Sequence, residues 1–412
     1  MSILTLIANF LFWYPIITSL LWIISGINFY LRKEKKEENL NLKFEPKVTI
    51  IIPAHNEEKF IRETLENALK LNYQNYEVVV VDDMSSDKTY EIVEEFLNDD
   101  RVHLIKLEKN VGKANAINIA LKFIKSDLFL VLDADTILEK DSLKYLTYHF
   151  LYYPRLGAVT GNPRVLNRKN ILTFIQTAEF SSIISLLKRA QRSIGRIFTI
   201  SGAVTLFNKN LVLKIGGFSP CTSTEDIDIT WRLEKNFYNI LYEPRALAYI
   251  RVPENLKELI RQRKRWALGG WHLLRKHKIV FLNFKYKRLF FVYLEFILSY
   301  LWSIIFVLFT FLWFLSKIFS YRGFVVSPIP TWYGSFISFI CLSQFLVSIL
   351  LDKKYDKDLY KYYLFVVWYP IIYWAINPFL VVITMFDGLF GKLGTKGIWK
   401  PPDREINKLK YN

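Results

Sequence analysis

Leu128-Phe-Leu-Val-Leu-Asp133-Ala134-Asp135-Thr136 is an apolar run of strand type that ends abruptly in two carboxylates one residue apart. Alternate residues of an extended chain share a face, so Asp133 and Asp135 can point at the same spot. In open α/β sheets, ligands sit beyond the carboxyl ends of the strands. A hard divalent cation held there takes one or two carboxylates and completes its shell with water and phosphate oxygens. Two acids in a turn after a strand are the commoner meaning of this pattern, so the surrounding sequence has to decide.

Strand-type runs recur upstream. Val48 to Ile52 leads into Pro53-Ala54-His55-Asn56-Glu57-Glu58, Glu77 to Val81 ends in Asp82-Asp83-Met84-Ser85-Ser86-Asp87, and Val102 to Leu107 follows. Helical patterns separate these runs, and the alternation implies a parallel sheet with helices on both faces. Parallel strands end together, so Ala54, Asn56, Glu57 and Asp83 are expected on the same edge as the Asp133/Asp135 pair. Their acceptors suit a uridine ring and ribose, although Asp82-Asp83 also reads as an acid pair at a helix start, favoured by the macrodipole.

Asn110-Val111-Gly112-Lys113 offers a glycine turn and a lysine at a helix start, which suits a diphosphate. It is not a Walker A loop, because the required glycine spacing and the following Ser or Thr are missing. Thr224-Glu225-Asp226 opens a further helix whose apolar side is expected to include Ile227, Trp231 and Leu233. Asp226 in its first turn is then a partly shielded carboxylate placed to act as a general base, or an acidic helix start of the capping type. In Arg261-Gln262-Arg263-Lys264-Arg265-Trp266 the residues Gln262, Arg265 and Trp266 fall on one helix face. They offer an amide, a guanidinium and an aromatic plate, while Arg263 and Lys264 read as a basic flank of the membrane segment that follows.

The chain has 412 residues, and the Phe, Tyr and Trp that make up 17% of it are concentrated in long apolar runs. Residues 1–31 exceed the roughly 20 residues needed to cross a bilayer. Their basic residues come after the apolar core, unlike those of a signal peptide. An uncleaved N-terminal span with a cytoplasmic basic linker over 32–45 is therefore expected. A soluble α/β domain over 46–275 would then be cytosolic. Further spans are expected at 289–315 and 332–351, and a Pro-broken segment at 362–386, interrupted by Pro370 and Pro378, precedes a basic tail over 387–412. Four crossings would leave that tail outside, whereas its lysines and arginines favour inside; a re-entrant or doubly crossing broken segment would reconcile the two.

The stretch Leu172 to Ala190 is expected along the membrane surface, with Lys188, Arg189 and Arg192 near phosphates. The formal charge of +17 gathers at span boundaries, which points to membrane lipids and away from nucleic acid. Cys221 and Cys341 stand in different kinds of sequence and do not indicate a disulfide framework.

The ordered set Asp83, Asp133-Ala-Asp135, Thr224-Glu225-Asp226 and Gln262-Arg-Lys-Arg265-Trp266, lying between membrane segments, resembles that of the processive family 2 glycosyltransferases. Val159-Thr-Gly-Asn162-Pro-Arg164, Ser201-Gly202, Tyr242-Glu-Pro244, Val252-Pro-Glu254, Trp368-Tyr-Pro370 and Pro402-Asp-Arg404 bring it nearer to the poly-β-1,6-N-acetylglucosamine synthases of biofilm-forming bacteria. That resemblance covers essentially the whole chain. Two departures appear: Met84 stands where the family usually has Gly, and Trp266 is followed by Ala-Leu-Gly where Ala-Gln-Gly is common.

The resemblance implies an α/β GT-A (Rossmann-like) domain embedded between transmembrane helices in the plasma membrane. It implies UDP-N-acetylglucosamine as donor, a growing polysaccharide as acceptor, and Mg2+ or Mn2+ held by Asp135 with Asp133. Ala54, Asn56, Glu57, Asp83, Lys113 and Asp133 would bind the nucleotide. Asp226 would be the base, with Glu225 beside it, and Gln262, Arg265 and Trp266 would serve acceptor and diphosphate. A small membrane accessory subunit is a further implied partner. Hyaluronan, chitin or lipid-linked glycan synthesis, and a catalytically dead scaffold, remain the alternatives.

Overall fold

A computed structural model describes residues 3–35, 42, 44–319 and 332–393. Most of the basic linker's central part and the tail from 394, including Pro402-Asp-Arg404, lie outside the described residues. The chain divides into two compact units, one built from 37–173 and 197–258 and the other from 1–36, 174–196 and 259–392. The stretch 46–275 expected as one domain thus contributes to both.

The first unit is an α/β domain around an eight-stranded sheet. Its strands are β1 (Val48–Ala54), β2 (Tyr76–Asp82), β3 (Val102–Lys106), β4 (Leu128–Leu132), β5 (Ile137–Leu138), β6 (Leu156–Val165), β7 (Val204–Asn208) and β8 (Asn239–Ile250). They lie in the order β3-β2-β1-β4-β7-β6-β8-β5. The four strands expected from the sequence run parallel. Beyond β4 the sheet turns mixed, because β7 pairs antiparallel with both β4 and β6.

β1 and β4 are buried along their whole length, as strands covered by helices on both faces must be. Side chains alternate between the two cores: Ile50, Ile52, Leu130 and Leu132 join the core under the helices Ile61–Ala68 and Ser142–Tyr152. Ile51, Phe129 and Val131 join the core under Lys113–Phe123 and Glu225–Lys235. Since β1 and β2 pair in register from Val48↔Tyr76 to Ala54↔Asp82, their exits lie side by side.

The second unit is helical. Among the described residues four helices are long and apolar enough to cross a membrane: Ile3–Glu34, Ile171–Ile194, Lys285–Ile318 and Gly334–Asp352. The second corrects an expectation. Lys188 and Arg189 are buried, so this stretch does not lay them out as a surface row. Arg189 donates to Glu34 through Nε (2.7 Å) and a second nitrogen (2.8 Å), and to Asp352 (2.7 Å), tying three helices through one guanidinium. The segment expected over 362–386 is not one helix. It is a 3-10 stretch Leu359–Trp368, a wide turn Tyr369–Tyr373 and a helix Trp374–Ile383. Pro370 has no N–H to donate to a regular helix, which accounts for the break there.

In the α/β unit the Tyr242-Glu-Pro244 motif carries a buried carboxylate. Glu243 accepts two hydrogen bonds from the Arg245 guanidinium (both 2.8 Å) and one from the Arg245 N–H (3.0 Å), and lies 2.8 Å from Nε2 of His149. Burial alone would push its pKa up, but Arg245 and His149 outweigh it and hold the carboxyl at about 2, below the ordinary 4.5. A depressed carboxylate stabilises the fold above its unfolded value and loses that contribution as pH falls through the folded one. Glu243→Gln is therefore expected to lower the apparent melting temperature of the detergent-solubilised protein at neutral pH, by the equivalent of roughly 3 kcal/mol at most. The gap to wild type should close as pH falls from 4.5 toward 2.

Candidate active site

At the exit of β1, Ala54 is buried and its carbonyl accepts the Asp83 N–H (2.8 Å). Asn56 sits at φ +55°; its side-chain oxygen accepts the Ser86 N–H (2.7 Å), and its own N–H donates to the Ser85 hydroxyl (3.0 Å). The N–H of buried Glu57 donates to the Thr89 hydroxyl (2.7 Å). The first two strand exits are thus laced into one ledge. Met84, at φ +57° and half exposed, turns the chain within it. A glycine reaches that left-handed region without the Cβ penalty that Met84 carries there.

Asp83 is fully buried, and its two carboxylate oxygens accept the N–H groups of Val111 (2.7 Å) and Gly112 (2.8 Å). It fastens the turn that starts the helix Lys113–Phe123. That placement carries Lys113 to the end of β4, where its Nζ lies 2.5 Å from Asp133 Oδ1 and 3.6 Å from Glu225 Oε1. One ammonium therefore draws the Asp-Ala-Asp and Thr-Glu-Asp motifs together. Burial works against the charge on Lys113, yet Asp133, Glu225 and Asp226 overcome it and hold the pKa above that of an ordinary lysine.

Asp226 flanks the same cleft, against Gly202: a Cβ built on Gly202 would lie 3.5 Å from Asp226 Cβ and 3.6 Å from Lys113 Nζ. The Ser201-Gly202 turn is held from two sides. The Ser201 N–H donates to Thr160 of β6 (2.8 Å), and the Ile200 N–H donates to Thr230 (3.2 Å), whose hydroxyl in turn bonds the Asp226 carbonyl (2.6 Å). The helix Glu225–Lys235 buries Ile229, Trp231 and Leu233; Ile227, expected among them, is only half-buried.

Two positioning side chains were not anticipated from the sequence. Asn118 exchanges a pair of hydrogen bonds with the backbone of Phe218 (2.7 Å each). Arg232 donates to Asp228 (2.7 Å) and to the carbonyls of Ile215 (2.9 Å) and Gly217 (2.5 Å). Together they fix the loop that leads into Thr224-Glu225-Asp226. Arg232 was legible as the i+4 partner of Asp228; Asn118 carries no such signal.

Asp133 and Asp135 are partly exposed on either side of buried Ala134, whose carbonyl accepts the Thr64 hydroxyl (2.8 Å). Among the described residues no group of three or more His, Cys or acidic side chains is arranged to hold a metal ion. Two hard carboxylates still fit Mg2+ or Mn2+, because such ions keep waters and take substrate phosphate oxygens.

Gln262, Arg265 and Trp266 lie on the helix Leu256–Lys276, in the part that belongs to the helical unit. Gln262 and Trp266 are half-buried and Arg265 is exposed. Arg263 is not the solvated flank expected: it is buried and donates to buried Glu179 (2.6 Å).

A family model described as "Glycosyltransferase like family 2" matches residues 46–269. The chain belongs to the family 2 glycosyltransferases. It is 37% identical over 405 residues, 97% of this chain and 98% of the relative, to the poly-β-1,6-N-acetyl-D-glucosamine synthase of Staphylococcus epidermidis. It is 36% identical over 403 residues, 96% of this chain and 98% of the relative, to the synthase of that name from Staphylococcus aureus strain COL. Among solved structures, a mannosyltransferase from Pyrobaculum calidifontis in complex with GDP-Man and Mn2+ superposes with a TM-score of 0.57 at 17% identity, covering 92% of this chain and 98% of that one. That likeness shows the GT-A-like fold. The protein is a glycosyltransferase with a mixed α/β domain and four long apolar helices.

The ledge around Met84 makes a direct test of local strain. Met84→Gly should raise, and Met84→Ile lower, the apparent melting temperature by the equivalent of about 1 kcal/mol, with glycosyl transfer by Met84→Gly retained.

Proposed function

We propose that this glycosyltransferase polymerises N-acetylglucosamine from UDP-N-acetylglucosamine into a β-1,6-linked exopolysaccharide at the cell membrane, inverting the donor and assisting export from a cytosolic catalytic domain. The observation that carries the chemistry is the contact of Lys113 with Asp133 and Glu225 beside Asp226. Similarity to the staphylococcal synthases along 97% of the chain supports the substrate and linkage.

In this reading the ledge of Ala54, Asn56 and Glu57 receives the nucleoside, and Asp83 fixes the turn that presents Lys113 to the diphosphate. Asp135 with Asp133 would hold the divalent cation, whose chemistry is to neutralise charge on the departing diphosphate. Lys113 adds positive charge on the same side and is itself held by Glu225. Asp226 takes the proton of the acceptor's 6-hydroxyl as that oxygen bonds to the anomeric carbon. The bond from that carbon to the diphosphate oxygen breaks, and UDP leaves. A single displacement turns an α-linked donor into a β-linkage, so one base suffices. Trp266 would stack on the terminal sugar of the acceptor, with Gln262 and Arg265 binding beside it, holding the hydroxyl in line.

Asp226→Asn should lower polymer formation from labelled UDP-N-acetylglucosamine in membranes by about 10²- to 10⁴-fold while donor binding persists. Near-wild-type synthesis by that variant would sink the assignment of the base, and linkage analysis of the wild-type product tests the β-1,6 bond. Thorough chelation should abolish synthesis, with recovery on adding Mg2+ or Mn2+. Activity that survives it would remove the role given to Asp135.

A further inference from the structure

Arg263 stands between Gln262 and Arg265-Trp266, yet it does something different from them. Its guanidinium carbon lies over the Trp266 ring, 4.3 Å from the centroid. The same guanidinium donates to Glu179 Oε2 (2.6 Å), and the other oxygen of Glu179 accepts the Tyr369 hydroxyl (3.1 Å). Glu179 and Tyr369 are themselves buried. Tyr369 stacks on Tyr373, and Tyr373 lies 6.0 Å from the Arg263 guanidinium carbon. The indole is thus backed by a planar cation whose orientation is set by a carboxylate from one helix and a tyrosine from the Pro370 turn.

We propose that Arg263 is a positioning residue for Trp266: held by Glu179, it stacks on one face of the indole so that the ring is presented in a single orientation to the acceptor sugar. The inference rests on the reading of Trp266 as the acceptor platform. A planar guanidinium can stack and pair at once, whereas a lysine keeps the charge and loses the plane. Arg263→Lys therefore separates two roles. If Arg263 served only as the buried partner of Glu179, a lysine would largely replace it.

The test measures transfer from UDP-N-acetylglucosamine to β-1,6-linked N-acetylglucosamine oligosaccharides by the full-length protein in detergent. Arg263→Lys should raise the KM for the oligosaccharide about 3- to 30-fold, the range of a desolvated cation–π contact. The KM for UDP-N-acetylglucosamine should stay unchanged. Trp266→Ala should raise the oligosaccharide KM at least as much, and the double variant should be no worse than Trp266→Ala, because coupled residues are not additive.

An acceptor KM unchanged in Trp266→Ala overturns the platform reading and this inference with it. An effect in Trp266→Ala with none in Arg263→Lys, or single effects that multiply in the double variant, leaves the platform standing and overturns the role of Arg263. Should Arg263→Lys not be recovered folded, Glu179→Gln replaces it, with the same rise expected and the same outcomes deciding.

Discussion

Three carboxylates, those of Asp133, Glu225 and Asp226, face one lysine at the end of β4. Two like charges about 4 Å apart near a protein surface repel by roughly 4 kcal/mol at an effective dielectric of about 20, so such a cluster needs a cation among its members. Lys113 supplies it, and its position depends on much of the α/β unit. Asp83 fastens the turn before it, the parallel pairing of β1, β2 and β4 brings the strand exits together, and Asn118 and Arg232 hold the loop leading to Glu225. Acidic groups that would repel one another are thereby kept in one cleft.

The helical unit solves a related problem with arginine. Arg189 is paired with Glu34 and Asp352, and Arg263 with Glu179, all of them buried. Breaking a buried pair by removing one partner leaves an uncompensated charge and is strongly destabilising. Each pair is therefore a fixed point between helices distant in sequence. Such links restrict how apolar helices, which otherwise pack with little directional preference, can slide or rotate against one another.

Much of the α/β fold, and the residues proposed for the candidate site, could be picked out from local pattern. The apolar run before Asp133, the alternation of strands and helices, and the i, i+3, i+4 spacing of Gln262, Arg265 and Trp266 each depend on residues a few positions apart. Three readings went astray for one reason. Lys188 and Arg189 read as a lipid-facing row, Arg263 as a flank, and Ile227 as part of the buried face of its helix. In each case burial is decided by a partner far along the chain or by the rotation of a helix against the sheet. Arg263 could have been suspected from its i, i+3 relation to Trp266, but its partner Glu179 lies 84 positions away.

By itself the sequence determined the parallel strands β1 to β4, the carboxylates at their exits, the motif set of a family 2 glycosyltransferase and three of the four described helices long and apolar enough to cross a membrane. These follow from side-chain period, strand direction and hydropathy, which are local properties. Only the tertiary structure decided that Asp83 holds a turn, that Lys113 joins Asp133 to Glu225, and that Arg263 lies buried against Trp266. Those facts depend on which charges meet once water is excluded, because a buried carboxylate or guanidinium must find its partner wherever the fold brings one.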